Sequence, residues 1–186
     1  MAVQEDGARK VALVTAGAGA GIGAACVRRL ARDGYDVVVT DAHPKRPIEL
    51  AAALSEEHGR TFLGLTLDVT DFEAVGAAAA QAMETHGRID VLVNNAGWSK
   101  IEPVAEMSPQ TWQRCLDVDL TGTFNSMRHV LPHMIAANRG SIINISSIAA
   151  WEISTEHGAA YSAAKAGVQA LTRVAAAENG QYGVRV

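Results

Sequence analysis

Clusters of positive charge are what this chain most clearly lacks. Its 16 Lys and Arg are scattered among 20 Asp and Glu, for a net charge of −4, and no basic run is present to grip a phosphate backbone or an anionic membrane surface. No nucleic acid or membrane partner is expected; a small ligand held by local groups is. No uninterrupted apolar stretch approaches the length that crosses a bilayer, and the opening MAVQEDGARK has no apolar core of a secretory leader. A soluble, cytoplasmic protein is the expectation. Cysteine is scarce too: Cys26 and Cys115 match no ligand spacing, and two such thiols are more often small buried hydrophobes than a disulfide. No His, Cys, Asp or Glu cluster has a metal-binding spacing, so no metal is expected.

What the chain does have, at 186 residues and 48% apolar content, is enough side chain to bury a core, and it reads as one domain over residues 1–186. From Lys10 onward, short β-branched or apolar runs alternate with longer Ala-rich helical segments, the pattern of an α/β protein whose parallel sheet is covered on both faces. Strands are expected at Val11 to Thr15, Asp36 to Thr40, Thr61 to Leu67, Ile89 to Val93 and Ser141 to Ser146, with Val184 to Val186 beginning a sixth. Ile22, Cys26 and Leu30 recur at helical spacing after the first strand. The Ala-rich run Glu73 to Met83 reads as a helix lying close on the sheet. Pro109 suits the first turn of a helix from about Ser108, which Gly122 and Pro132 are expected to bend.

The first strand runs directly into Thr15-Ala16-Gly17-Ala18-Gly19-Ala20-Gly21-Ile22-Gly23, and a helix follows. Glycine lets the backbone approach a ligand closely, and the helix N-terminus offers free N–H groups to a pyrophosphate. A tight βα connection uses glycine as well, but strand, glycine turn and amphipathic helix occur in the order a dinucleotide site needs. The second strand ends at Asp41, near the spacing of an acid that binds the adenosine ribose hydroxyls. A carboxylate there repels a 2′-phosphate and favours NAD over NADP, although Lys45 and Arg46 could attract that phosphate, and a solvated loop aspartate is the plain alternative. Asp68 and Val69 end the third strand and could face the adenine edge; Asp68 could equally cap the next helix.

Tyr161 and Lys165 point to proton chemistry. Four residues apart on a helix they share a face, and an ammonium beside a phenol favours the phenolate, which makes a general acid and base usable near neutral pH. Roughly one tyrosine in twenty has a lysine at that offset by chance, so the context decides.

In that context, Gly17-x-x-x-Gly21-x-Gly23, Asn94-Asn95-Ala96-Gly97, Ser146-Ser147 and Tyr161-Ser162-Ala163-Ala164-Lys165 resemble, in order, the motifs of the short-chain dehydrogenase/reductase family. The resemblance covers most of the chain and implies a Rossmann-type, doubly wound parallel sheet in three α/β/α layers, a nicotinamide cofactor, and reversible oxidation of an alcohol to a carbonyl. It implies that Tyr161 exchanges a proton with the substrate oxygen and that Ser147, with Ser146 as its neighbouring candidate, hydrogen-bonds that oxygen. Lys165 would stabilise the phenolate and bind the nicotinamide ribose. Gly17, Gly19, Gly21, Ile22 and Gly23 would hold the pyrophosphate, Asp41, Asp68 and Val69 the adenosine, and Asn95, Ala96 and Gly97 the rest of the cofactor, with Asn94 stabilising the strand end. A homo-oligomer, dimer or tetramer, is implied through helices at roughly Ser108 to Ala137 and Gly158 to Asn179.

Three features depart from the family's pattern. One extra residue separates Thr15 from Gly23, and the irregularity is expected beside Ala16, with Thr15 displaced. Asp119 stands where the family usually carries an Asn that helps water reach the catalytic Lys; its carboxylate favours a charged Lys165 but opposes the phenolate, so its net effect is open. The sequence ends at Val186, in or after the sixth strand, where the family ordinarily continues into a substrate-covering segment, and impaired water exclusion is the expectation.

Trp98, Trp151, Glu152 and His157 are the remaining pocket candidates, the tryptophans as apolar walls or as ordinary core, Glu152 as a polar contact, His157 as a second acid and base or as a structural residue. The expected substrate is a small alcohol or ketone. A nucleotide-binding or oligomerisation fragment and a sugar-nucleotide epimerase or dehydratase are the alternatives, the latter disfavoured by the glycine spacing.

Overall fold

The structure is a computed structural model and describes residues 8–152 and 156–186. Residues 1–7, which carry most of the leader argument, lie outside the described residues. Six strands, β1 (Val11–Val14), β2 (Asp36–Asp41), β3 (Leu63–Thr66), β4 (Val91–Asn94), β5 (Gly140–Asn144) and β6 (Val184–Arg185), form one parallel sheet in the order β3-β2-β1-β4-β5-β6. The helices between them are α1 (Ile22–Arg32), α2 (Arg46–His58), α3 (Phe72–His86), α4 (Pro109–Leu116), α5 (Gly122–Ala136) and α6 (Ala159–Asn179). This is the doubly wound, three-layer α/β/α arrangement of the Rossmann type.

The apolar strand runs make both faces of the sheet core, and the period of two divides them. Val11, Leu13 and Leu92 point toward Ala79, Met127, Val130 and Ala175 of α3, α5 and α6, whereas Ala12, Val14 and Val93 meet Val27, Ala31 and Leu54 of α1 and α2. Small residues bring the helices close: Ala78, Ala79 and Ala82 are the buried stripe of α3.

Two expectations shift. In α1 the buried stripe is Gly23, Val27 and Ala31, one residue along from Ile22, Cys26 and Leu30, and Ile22 is 59% exposed. A glycine at the first stripe position lets α1 approach the turn after β1, which rotates Ile22 outward to the helix mouth. The segment from Ser108 changes helix type before Gly122 rather than at it: Asp117–Thr121 form a single wide π turn between α4 and α5. Pro132 sits within α5 without ending it. Gly122 is needed for contact: a Cβ there would lie 2.5 Å from Val69 Cγ2. No helix among the described residues is long and apolar enough to cross a membrane.

Candidate active site

The connections leaving β1 and β4 run to opposite sides of the sheet, which opens a crevice at the C-terminal ends of these neighbouring strands. Thr15 still belongs to β1's ladder, donating its N–H to Val93 O at 3.0 Å, while its Oγ1 accepts from the N–H groups of Asn95 (2.9 Å) and Ala96 (3.1 Å). The irregularity falls on Ala16, as expected, at φ +49°, but Thr15 is not displaced from the strand. Asn95 Nδ2 donates to Thr15 O at 3.2 Å and to Ala16 O at 3.1 Å, tying the two strand ends together.

Around this turn the glycines divide by task. A Cβ on Gly23 would lie 2.4 Å from Ala16 O and 2.5 Å from Asn95 Nδ2, so Gly23 is required for helix and turn to meet, whereas a Cβ on Gly19 or Gly21 would meet nothing within 4 Å. A Cβ on Gly17 would crowd Val27 and Val14. The N-terminus of α1 has no side-chain cap, leaving its first N–H groups to face that open space. These features fit a pyrophosphate.

Beside the turn lies a cleft of about 220 Å³ lined by Asp41, Asp68, Val69, Ala96, Gly97, Trp98 and Arg114 among others. Asp41 is held from both sides, Oδ2 accepting from Ala18 N–H (3.3 Å) and Oδ1 from His43 N–H (3.0 Å). It is thus an ordered, half-buried carboxylate on the cleft wall rather than a loosely solvated one. Asp68 does not cap α3; Asp71 does, accepting from Ala74 N–H at 2.9 Å, and Asp68 accepts from the Thr70 N–H and hydroxyl instead. Val69 is buried, and its carbonyl accepts from Asn125 Nδ2.

Tyr161 and Lys165 share one face of α6, with Lys165 Nζ 5.5 Å from the Tyr161 ring centroid. Lys165 is 3% exposed, donates to Ile145 O at 3.0 Å at the end of β5, and stands 3.1 Å from Asp119 Oδ1. Asp119 is fully buried; its Oδ2 accepts from Trp98 N–H at 2.8 Å. Burial pushes its carboxyl above the usual range, against the pull of that N–H and of Lys165. Ser146 and Ser147 separate clearly. The Ser146 hydroxyl is spent on structure, donating to Lys165 O and accepting from Gln169 Nε2, whereas Ser147 Oγ accepts from Ala149 N–H and finds no acceptor for its own proton among the described residues. Asn94 bonds Asn144 across the strand ends, and Asn144 bonds Thr172 of α6.

The pocket candidates are not all brought together. Trp98 packs with Tyr161 against Cys115, Ala160 and Ala164, while Trp151 is 74% exposed at the end of a short 3₁₀ turn in which Ala149 is the buried member. His157 is half-buried two residues before α6. Arg114, which the sequence reading passed over, lies over the Trp98 ring at 4.7 Å and lines the cleft. Its place on α4 three residues after Thr111 gave no motif to find it by.

Comparison with known proteins agrees with this geometry. A family model described as short chain dehydrogenase matches residues 10–186. A (5R,7aS)-5-hydroxy-7a-methyl-1-oxo-2,3,5,6,7,7a-hexahydro-1H-indene-carboxyl-CoA reductase of Mycobacterium tuberculosis is 44% identical over 179 residues, 95% of this chain and 68% of that protein. A trans-4-hydroxycyclohexanecarboxylate dehydrogenase of Sinomonas cyclohexanicum is 43% identical over 189 residues, 99% of this chain and 72% of that protein. Among solved structures, an NAD+-bound xylitol dehydrogenase superposes with a TM-score of 0.90 at 33% identity, over 95% of this chain and 67% of that one. The chain thus spans about 70% of the length of these relatives.

Proposed function

The chain belongs to the short-chain dehydrogenase family, and on that premise we propose that it interconverts an alcohol and its carbonyl using NAD, with Tyr161 as general acid and base. The observation that carries this reading is the face of α6 that holds Tyr161 and the buried Lys165 beside the end of β5, where the Ser147 hydroxyl finds no acceptor for its proton among the described residues. In the oxidation direction the substrate hydroxyl gives its proton to Tyr161 Oη, and Ser147 donates a hydrogen bond to the same oxygen as its charge changes. Lys165, fixed by Ile145 O, holds its ammonium beside the phenol. The bound nicotinamide supplies the hydride acceptor. Gly17 to Gly23 and the α1 N-terminus would take its pyrophosphate, Asn95 to Gly97 its nicotinamide side, and Asp68 and Val69 its adenine.

Asp41 supports NAD over NADP: its remaining lone pairs can accept from a ribose diol and its charge repels a 2′-phosphate. Asp41→Ala is therefore expected to raise relative use of NADP, measured as the ratio of kcat/KM values; an unchanged ratio counts against the assignment. For the substrate we propose a secondary alcohol or its ketone on a ring or polyol, the chemistry in the names of the similar proteins. The reading extends to a cytoplasmic homo-oligomer, which the exposed Trp112 of α4 and Phe124 of α5 support.

The test is turnover on a panel of cyclic and polyol secondary alcohols, with Tyr161→Phe beside the parent. The variant should lose roughly 10²- to 10⁴-fold in kcat and keep its NADH affinity. An active variant overturns the assignment of Tyr161, and NADH binding without turnover of any panel member leaves a nucleotide-binding body in place of an enzyme.

A further inference from the structure

One buried charge has no task in the proton transfer just described. Asp119 sits on the π turn between α4 and α5, fully buried, with Oδ2 on the Trp98 N–H at 2.8 Å and Oδ1 at 3.1 Å from Lys165 Nζ. A Cβ on Gly97 would come within 2.9 Å of Oδ1. A single carboxylate therefore touches both the lysine that serves the phenol and the turn at 96–98 that lines the nucleotide cleft. No water need intervene at 3.1 Å, so the contact differs from the water relay expected of an Asn in this place. The groups that face Asp119 are Lys165, with Tyr161 a turn before it on α6, the Cys115 thiol of α4 at 3.9 Å, and from the β4 loop the Trp98 N–H. The thiol is itself pushed up to about 11 by burial and then by the Asp119 charge, so it stays neutral at working pH. Lys165 is the cation of the group and Asp119 its counter-ion.

We propose that Asp119 is a positioning residue: ionised, it locks Lys165 against Ile145 O and the 96–98 turn, and it cancels much of the positive charge that Tyr161 would otherwise feel. The proposal rests on the dehydrogenase reading for its consequence, not for its geometry. With Asp119 and Lys165 both charged, ionising the phenol takes the cluster from neutral to −1; with an asparagine it would go from +1 to neutral. This chain should therefore oxidise alcohols best at higher pH than its Asp119→Asn variant.

The experiment titrates the Tyr161 phenol by ultraviolet difference spectroscopy in cofactor-free parent and Asp119→Asn proteins, each referenced to its Tyr161→Phe counterpart, and pairs this with the pH dependence of kcat for oxidation. In Asp119→Asn the phenol transition and the ascending limb of kcat are expected to move down together by on the order of one pH unit. NADH affinity should stay within about twofold, because the asparagine Oδ1 still accepts from Trp98 N–H. Asp119→Ala, which releases that N–H, is expected to weaken NADH binding about tenfold. A folded Asp119→Asn protein whose phenol titrates like the parent's overturns the proposal, as does a loss of thermal stability with neither curve moved. Asp119→Ser is the second variant should the asparagine not fold, and the same two outcomes decide it. A parent that fails to bind NADH sinks the dehydrogenase reading instead, and the phenol titration still judges Asp119.

Discussion

At Ala16 an L-residue holds a left-handed backbone, φ +49°, in the turn where the chain carries one more residue than the pattern it resembles. That conformation costs a Cβ-bearing residue about 1 kcal/mol, and it persists because Asn95 Nδ2 holds the Thr15 and Ala16 carbonyls while Thr15 stays in the ladder with Val93. Ala16→Gly removes the steric cost at the expense of a more flexible unfolded chain, and about 0.5 kcal/mol of added stability should remain. A thermal melt reads this directly; a lower midpoint would mean that the Ala16 methyl contributes packing that outweighs its strain. The same turn faces the open space above Gly19 and Gly21, where the proposed function would place a pyrophosphate.

At the scale of elements, the central strands were legible because short apolar runs such as Val11 to Val14 and Val37 to Val39, buried on both faces, leave few other readings. The π turn was not. A wide turn at Asp117–Thr121 depends on long-range contacts, with Asp119 reaching back to Trp98 N–H and Lys165, and these partners are 21 and 46 positions away in sequence. Gly122 and Pro132 were the local signals for a bend, yet Gly122 serves contact with Val69 and Pro132 is carried within α5. The displaced stripe of α1 has the same origin. Periodicity alone matched Ile22, Cys26 and Leu30 as well as it matched Gly23, Val27 and Ala31, and the tie is broken by how closely the turn at Ala16 allows the helix to approach. In the candidate site, residues borne on motifs came together at one end of the sheet. Arg114 did not announce itself, because its position is meaningful only once Trp98 lies beneath it.

For the molecule as a whole, the titrating groups that burial perturbs pull stability down on both sides of neutrality. His86, on the last turn of α3, has a buried Nε2 without a hydrogen-bond partner among the described residues, and burial lowers its pKa against a smaller opposing pull from Asp36. A lowered histidine stabilises the fold fully above its unfolded value near 6.5, and that contribution is lost as pH falls through its folded value, because the unfolded chain takes up the proton first. Cys115 acts at the other end. Its thiol is raised from about 9 to about 11, so its contribution is complete below pH 9 and is lost as pH rises toward 11, on the order of 3 kcal/mol for a shift of that size. Asp119, raised by burial, has the thiol's sign at acid pH: its contribution falls as pH climbs through its folded value, and so it offsets part of the acid loss that His86 causes. Thermal midpoints measured from pH 5 to 11 should therefore form a plateau from about 7 to 9 with a fall on either side. His86→Gln should flatten the acid fall and Cys115→Ala the alkaline one, whatever either change does to the height of the plateau. An alkaline fall of unchanged steepness in Cys115→Ala would assign that loss to other groups.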